Sequence, residues 1–211
     1  MRGLRLDEAL AIITGAFAEA AKLNCHPLSV VVLDAGGRVK AFQKQDGCSL
    51  LRFEIAYGKA FAALSLNRSS RSVLAKAREK PLFMQSLEAL SDGPLFLEGG
   101  GQLIRDASGE IVGSVGATGD VNEMDDICAI AGIRAAGFRS DADFSADEAQ
   151  ILNIKIDPPL KDPRKAQERG QAKSAQLAGN KRGKDRRTGN GGTPNYPDNN
   201  RRVGPRRRSP A

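Results

Sequence analysis

The side chains of this sequence that could do chemistry fall in three short stretches. The first is Cys25-His26, which holds the one histidine of the chain. A neutral imidazole nitrogen suits an iron or other transition-metal centre. The adjacent thiol adds little, because neighbours on an extended chain point to opposite sides and the pair gives one ligand at most. A solvent-facing loop histidine is the alternative reading. The second stretch is helical in pattern and carries Arg52, Glu54, Gly58 and Lys59. Glu54 and Gly58 are one turn apart on one face, and the glycine would let a flat ligand approach the backbone. A solvated helix face is the alternative here.

The third stretch runs from Gly99 to Gly132. Gly113, Gly116 and Gly119 recur every third residue before Asp120-Val121-Asn122-Glu123. The latter is a capping-box pattern that predicts a helix starting at Asp120. A glycine-rich turn from strand to helix offers backbone N–H groups and the positive end of a helix dipole, a place for a carboxylate or phosphate around Gly116, Thr118, Gly119 and Asp120. Tight packing is the competing reason for such glycines. The spacing is not G-x-G-x-x-G, which argues against a nucleotide cofactor. Asp120, Glu123, Asp125 and Asp126 read as carboxylates at a helix start, since the alternating oxygen donors of a Ca²⁺ loop are missing. Three cysteines without a C-x-x-C exclude a zinc ribbon, and the odd number argues against a disulfide scaffold, which fits a reducing cytoplasm.

The surrounding elements follow from periodicity. An amphipathic helix is predicted over 6–23 with Leu6, Leu10, Ile13, Phe17 and Ala21 as its stripe, and Asp7 and Glu8 sit where a secretion signal would be positive. Residues 28–34 are apolar on both faces, as a buried central strand would be, and 38–44 make its half-exposed partner. Ser49 could cap a helix over 50–66 with Leu51, Ile55, Tyr57, Gly58, Ala62 and Leu66 near one face. Shorter helices are expected at 70–78 and 82–90, with Pro81 suited to a helix start. Residues 95–97 would be an edge strand. A hairpin then turns at Asp106-Ala107-Ser108-Gly109, with its return strand over 110–115, and a last short helix is expected over 145–152. Hairpin strands with helices packed on them make an α+β fold. No apolar run is long enough to span a membrane.

Charge divides the chain. Residues 1–160 carry 17 Lys+Arg against 21 Asp+Glu, and residues 161–211 carry 15 against 4. The overall +7 therefore belongs to the C-terminal stretch, so the domain of residues 1–159 is not itself basic. From 160 to 211 the composition predicts a disordered basic tail, able to hold nucleic acid non-specifically through its phosphates.

Three blocks, LSVVVLDAGGRVKAFQKQDG, SLLRFEIAYGKAFAAL and GGGQLIR…GEIVGSVGATGD…DDICAIAGIRAAG, resemble in order the GlcG/HbpS family. This is the haem-degrading or DUF336 domain, also found at the C-terminus of PduO-type proteins. The resemblance covers about residues 6–139. Phe53 stands where the family has a proline, and Ala117-Thr118-Gly119 replaces its valine-serine-glycine ending. It implies a profilin-like, five-stranded antiparallel sheet with packed helices, oligomers from dimers to octamers, and haem as the ligand.

Two functional expectations follow. In the first, the domain is a homo-oligomeric haem or tetrapyrrole binder. His26 would meet the iron, while Arg52 and the backbone at 116–120 would meet the propionates. In the second, it is a lyase- or isomerase-type enzyme acting on a small organic acid. Glu54 or Asp120 would serve as general acid and base, with Arg52 or Lys59 holding the carboxylate. Hydrolysis is disfavoured, because no nucleophile–base pair is visible.

Overall fold

The computed structural model describes residues 3–160, and the predicted basic tail lies outside the described residues. The first helix, α1 (Leu6–Lys22), leads into β1 (Ser29–Asp34) and β2 (Val39–Lys44). Three helices follow, α2 (Arg52–Ser65), α3 (Ser70–Glu79) and α4 (Pro81–Leu90). A hairpin of β3 (Gly101–Arg105) and β4 (Ile111–Thr118) precedes α5 (Asn122–Ala135), a 3-10 turn (Asp141–Asp143) and α6 (Ala146–Ile151). This is the α+β order that the sequence predicts.

The strands form one antiparallel sheet in the order β2-β1-β4-β3. Four strands are present among the described residues where the resemblance implies five. Residues 95–97 run without a ladder partner, because Phe96 turns its N–H toward the Gly58 carbonyl, 3.2 Å away. Their alternative to a sheet edge is thus a contact with α2.

β1 is central, as its two apolar faces require. Val30 and Val32 face a core shared with α1 and α5, while Val31 and Leu33 face α2. Within residues 3–160 the sheet therefore lies between two layers, α1 and α5 on one face and α2 on the other. In α1 the buried residues are Ala9, Ile12, Ile13, Ala16 and Ala20, whereas Leu6 and Leu10 are exposed. The packed stripe is rotated from the predicted one because α1 must meet α5 closely. A Cβ on Gly132 would lie 2.4 Å from the Ile12 carbonyl oxygen, so small residues, and not leucines, mark that crossing.

Turn chemistry holds as read. Asp106 Oδ1 accepts from the Ser108 and Glu110 N–H groups at 2.9 and 3.1 Å, and Gly109 takes φ +92°. Ser49 does not cap α2. That helix begins at Arg52 with Leu51 as its N-cap residue and no side-chain cap.

Candidate functional site

One row of small residues sets the site. On the α2 side of β4 stand Ser114, Gly116 and Thr118, and along α2 stand Ala60, Ala56 and Arg52, one turn apart. Ser114 Oγ donates to the Ala60 carbonyl at 2.9 Å. A Cβ on Gly116 would come within 2.0 Å of the Ala56 carbonyl oxygen, and one on Gly101 within 2.2 Å of the Lys59 carbonyl oxygen. Helix backbone thus lies directly on strand backbone, and Arg52 is carried over the end of β4. Its Nη1 donates to Thr118 Oγ1 at 3.0 Å and its Nη2 lies 3.5 Å from the Gly119 carbonyl oxygen.

This packing corrects three expectations. Gly116 is buried under α2, within the β4 ladder, and does not open to a ligand. Gly58 is closed as well, since a Cβ there would meet Phe96 Cβ at 2.7 Å. The stripe of α2 facing the sheet is Ala56, Ala60 and Arg52, while Leu51, predicted to belong to it, is exposed.

Behind Arg52 runs a buried polar chain. Lys59 Nζ donates to Asp125 Oδ2 at 2.8 Å and to the Ala117 carbonyl at 3.3 Å. Asp125 Oδ1 accepts from the Asp120 N–H at 3.0 Å, and Asp120 Oδ2 accepts from the His26 N–H at 2.9 Å. Burial pushes the Asp125 carboxyl above its ordinary range against the pull of Lys59. Its neighbour Asp126 accepts from the Gly100 N–H at 2.7 Å and from Gln102 Nε2 at 2.6 Å. Desolvation raises it to about 6.

Asp120 is not the helix cap. α5 starts at Asn122 with Val121 as its N-cap residue, and the Asp120 carboxylate accepts from the His26 and Val121 N–H groups instead. The Asp-x-x-Glu pattern is present, but the chain uses its aspartate to tie down the loop before β1. Asp125 and Asp126 are likewise not dipole-satisfying surface carboxylates, being 1% and 0% exposed.

The structure therefore gathers His26, Arg52, Thr118, Gly119 and Asp120 at one end of the sheet. Lys59 stands behind them in the polar chain, and Glu54 is exposed on α2 with no hydrogen bond or ion pair among the described residues. One feature was missed in the sequence. Phe53, Tyr57 and Phe61, four residues apart on α2, stack along the helix at 6.1 and 5.7 Å between ring centroids. Phe42 of β2 meets Phe53 edge-on at 4.8 Å. This half-exposed aromatic run begins beside Arg52, and the i, i+4, i+8 spacing was the available signal. Cys128 is buried at 0% exposure, and that burial pushes its thiol upward and away from the thiolate form. Among the described residues no cluster of His, Cys, Asp and Glu could hold a metal ion, and no helix is long and apolar enough to cross a membrane.

Comparison with known proteins agrees with this architecture. The crystal structure titled as the PduOC:heme complex matches at 23% identity with a TM-score of 0.57, over 65% of this chain and 97% of that one. HbpS matches at 28% identity with a TM-score of 0.56, over 64% of this chain and 90% of that one. The DUF336 protein ORFY of Klebsiella pneumoniae matches at 21% identity with a TM-score of 0.56, over 65% of this chain and 94% of that one. No curated protein matches the chain. The family described as haem degrading protein HbpS-like matches residues 4–134, which is more than half of the sequence, and the chain belongs to this HbpS-like family.

Proposed function

We propose that this domain binds haem or a closely related tetrapyrrole at the end of the sheet where His26 is tied to Asp120 and Arg52 to Thr118 and Gly119. A macrocycle needs an apolar plate, cationic anchors for its propionates and a donor for its iron. The observation that carries the reading is the half-exposed aromatic run Phe42, Phe53, Tyr57 and Phe61, whose Phe53 follows Arg52 in the first turn of α2. Arg52 is only partly buried, and its Nη1 and Nη2 spend one bond each on Thr118 and Gly119, so the guanidinium keeps donor capacity for a carboxylate. His26 is exposed and its backbone is pinned by Asp120, which supports a nitrogen donor held at a fixed place. The residues fit the group. Bound haem would supply redox and diatomic-ligand chemistry, while the chain supplies the plate, the anchors and the donor. Membership of the HbpS-like family and the likeness to a heme complex support the same ligand.

The acid–base reading gains less. Asp120 already accepts two backbone N–H groups, and Glu54 makes no hydrogen bond or ion pair among the described residues. We further infer a profilin-like homo-oligomer. α4 buries only Met84 and leaves Leu82, Phe83 and Leu90 exposed, apolar area that a second copy would cover.

Titration of the purified protein with hemin tests the reading. A saturable Soret shift is the expected result, and a spectrum that changes only as free hemin does would overturn it.

A further inference from the structure

A second concavity lies away from Arg52, among α5, β3, the 3-10 turn and the chain that follows α6. Its volume is about 230 Å³, and Gln102, Ile127, Ile130, Asp141 and Ala142 line it. Arg71 of α3 and residues 157–160 close one side. That closing segment is fastened. Arg71 Nη2 donates to the Pro158 carbonyl at 2.9 Å and lies 3.5 Å from Asp157 Oδ2, which also accepts from Ser69 Oγ.

The charges around this cavity do not balance. Asp141 is 4% exposed, and its Oδ1 accepts from Arg105 Nε at 2.6 Å. Its Oδ2 is buried without a hydrogen-bond partner among the described residues. Asp126, just behind Gln102, also has a buried and unpartnered Oδ2, with Arg71 Nε at a loose 3.7 Å. Asp157 is the third carboxylate. Against these three stand Arg71 and Arg105, while Arg134 at the rim is committed to Asp143 at 2.7 Å. Burial raises the Asp141 and Asp126 carboxyls against the pull of Arg105 on the first and of Gly100, Gln102 and Arg71 on the second. Orphaned buried acceptors call for a donor, and a buried carboxylate in negative surroundings calls for a cation. Ile127, Ile130 and Ala142 add an apolar wall, and the volume is below the usual range for drug-sized ligands.

We propose that the cavity between α5, β3 and residues 157–160 binds a small organic cation, an amine or amidine with a short apolar body. Asp141 takes the charged head and Ile127 and Ile130 cover the body. None of these residues belongs to the haem reading, so the two stand or fall separately.

Calorimetric titration of the full chain with benzylamine tests it, with benzyl alcohol and benzoate as matched neutral and anionic probes. Saturable benzylamine binding is expected, with both comparators weaker by about tenfold or more. Asp141→Asn should weaken benzylamine to the level of the alcohol. Ala142→Trp, at an exposed position of the wall, should block binding while leaving the hemin titration and the melting temperature unchanged. Benzoate binding as well as benzylamine, benzylamine binding that survives Ala142→Trp, or no benzylamine binding at millimolar concentration would each overturn the proposal.

Discussion

Lys59 Nζ lies 2.8 Å from Asp125 Oδ2, with the two side chains only 3% and 1% exposed, so α2 is joined to α5 by a charge pair under the end of the sheet. The pair also takes in the Ala117 carbonyl and the Asp120 N–H, and so fixes the turn that leads from β4 to the helix. Arg52 and His26 depend on that turn for their positions.

Removing one partner should therefore be severe. Lys59→Met leaves the Asp125 carboxylate buried without its cation, and the expected loss is about 3 to 5 kcal/mol. The double variant Lys59→Met/Asp125→Asn should recover part of it. Urea denaturation measures both, and a single-variant loss below about 1 kcal/mol would show the pair to be solvated in solution.

Gly116 gives a prediction of the opposite kind. Read from the sequence, Gly116→Val blocks a ligand. In the structure it drives a side chain into the Ala56 carbonyl, 2.0 Å from where the Cβ would sit. The fold should suffer first, by about 3 kcal/mol or more, because α2 cannot lift from β4 without pulling Ala56 and Ala60 off the strand and breaking the Ser114–Ala60 hydrogen bond. Circular dichroism melts of Gly116→Ala and Gly116→Val would show graded loss. An unchanged melting temperature would mean that α2 is not seated on the strand.

What the sequence made legible, and what it hid, follows from range. Turns closed by their own side chains, such as Asp106 with Ser108, were readable because every partner is within four residues. β1 was readable because a strand buried on both faces must be apolar on both. Lys59 with Asp125 was not, since 66 residues separate them and each looks like an ordinary helix-surface charge. Asp120 shows how a local rule loses: its capping pattern is intact, yet the His26 N–H, 94 residues away, offers a partner that the pattern does not contain. The face of α2 was misread for the same reason, as leucines promise burial while backbone-to-backbone contact with β4 selects alanine and glycine.

Asp126 sets a pH dependence. Its folded-state value of about 6 lies above the ordinary 3.8, so the native chain binds this proton more readily than the unfolded one. The group's contribution is therefore greatest below about pH 4 and falls as pH rises to about 6, by about 2 to 3 kcal/mol. Asp126→Asn still accepts from the Gly100 N–H and Gln102, and it should flatten that fall relative to wild type. Arg71 and Asp157 also face the group, so the comparison is best made at constant salt. Parallel stability curves for the two proteins between pH 4 and 6 would contradict the shift.

The excess of 15 Lys+Arg over 4 Asp+Glu in residues 161–211 predicts salt-sensitive RNA binding by the full chain. A chain ending at residue 160 should lose it while keeping its melting temperature, because residues 3–160 contain the sheet and all of the described helices. Filter binding at two salt concentrations measures the first part. Equal RNA affinity of the two chains would place the contact on the domain, which is net acidic.

The proposed haem site separates into two roles that mutation can tell apart. His26 is to supply the iron donor and Arg52 the anchor for a propionate. His26→Ala should shift the Soret maximum of the complex, since the electronic environment of the iron changes with its axial donor. Arg52→Gln should leave the Soret position in place and weaken hemin by about tenfold, the loss of one charge-assisted contact. The fold should tolerate both, because His26 is exposed and Thr118 can accept from a glutamine amide in place of the guanidinium. An unshifted spectrum in His26→Ala would leave His26 as a loop residue held by Asp120 and assign the iron donor to another side chain or to water. A Soret shift in Arg52→Gln would place the arginine near the iron instead of at the rim, and the orientation of the macrocycle along the aromatic run would reverse.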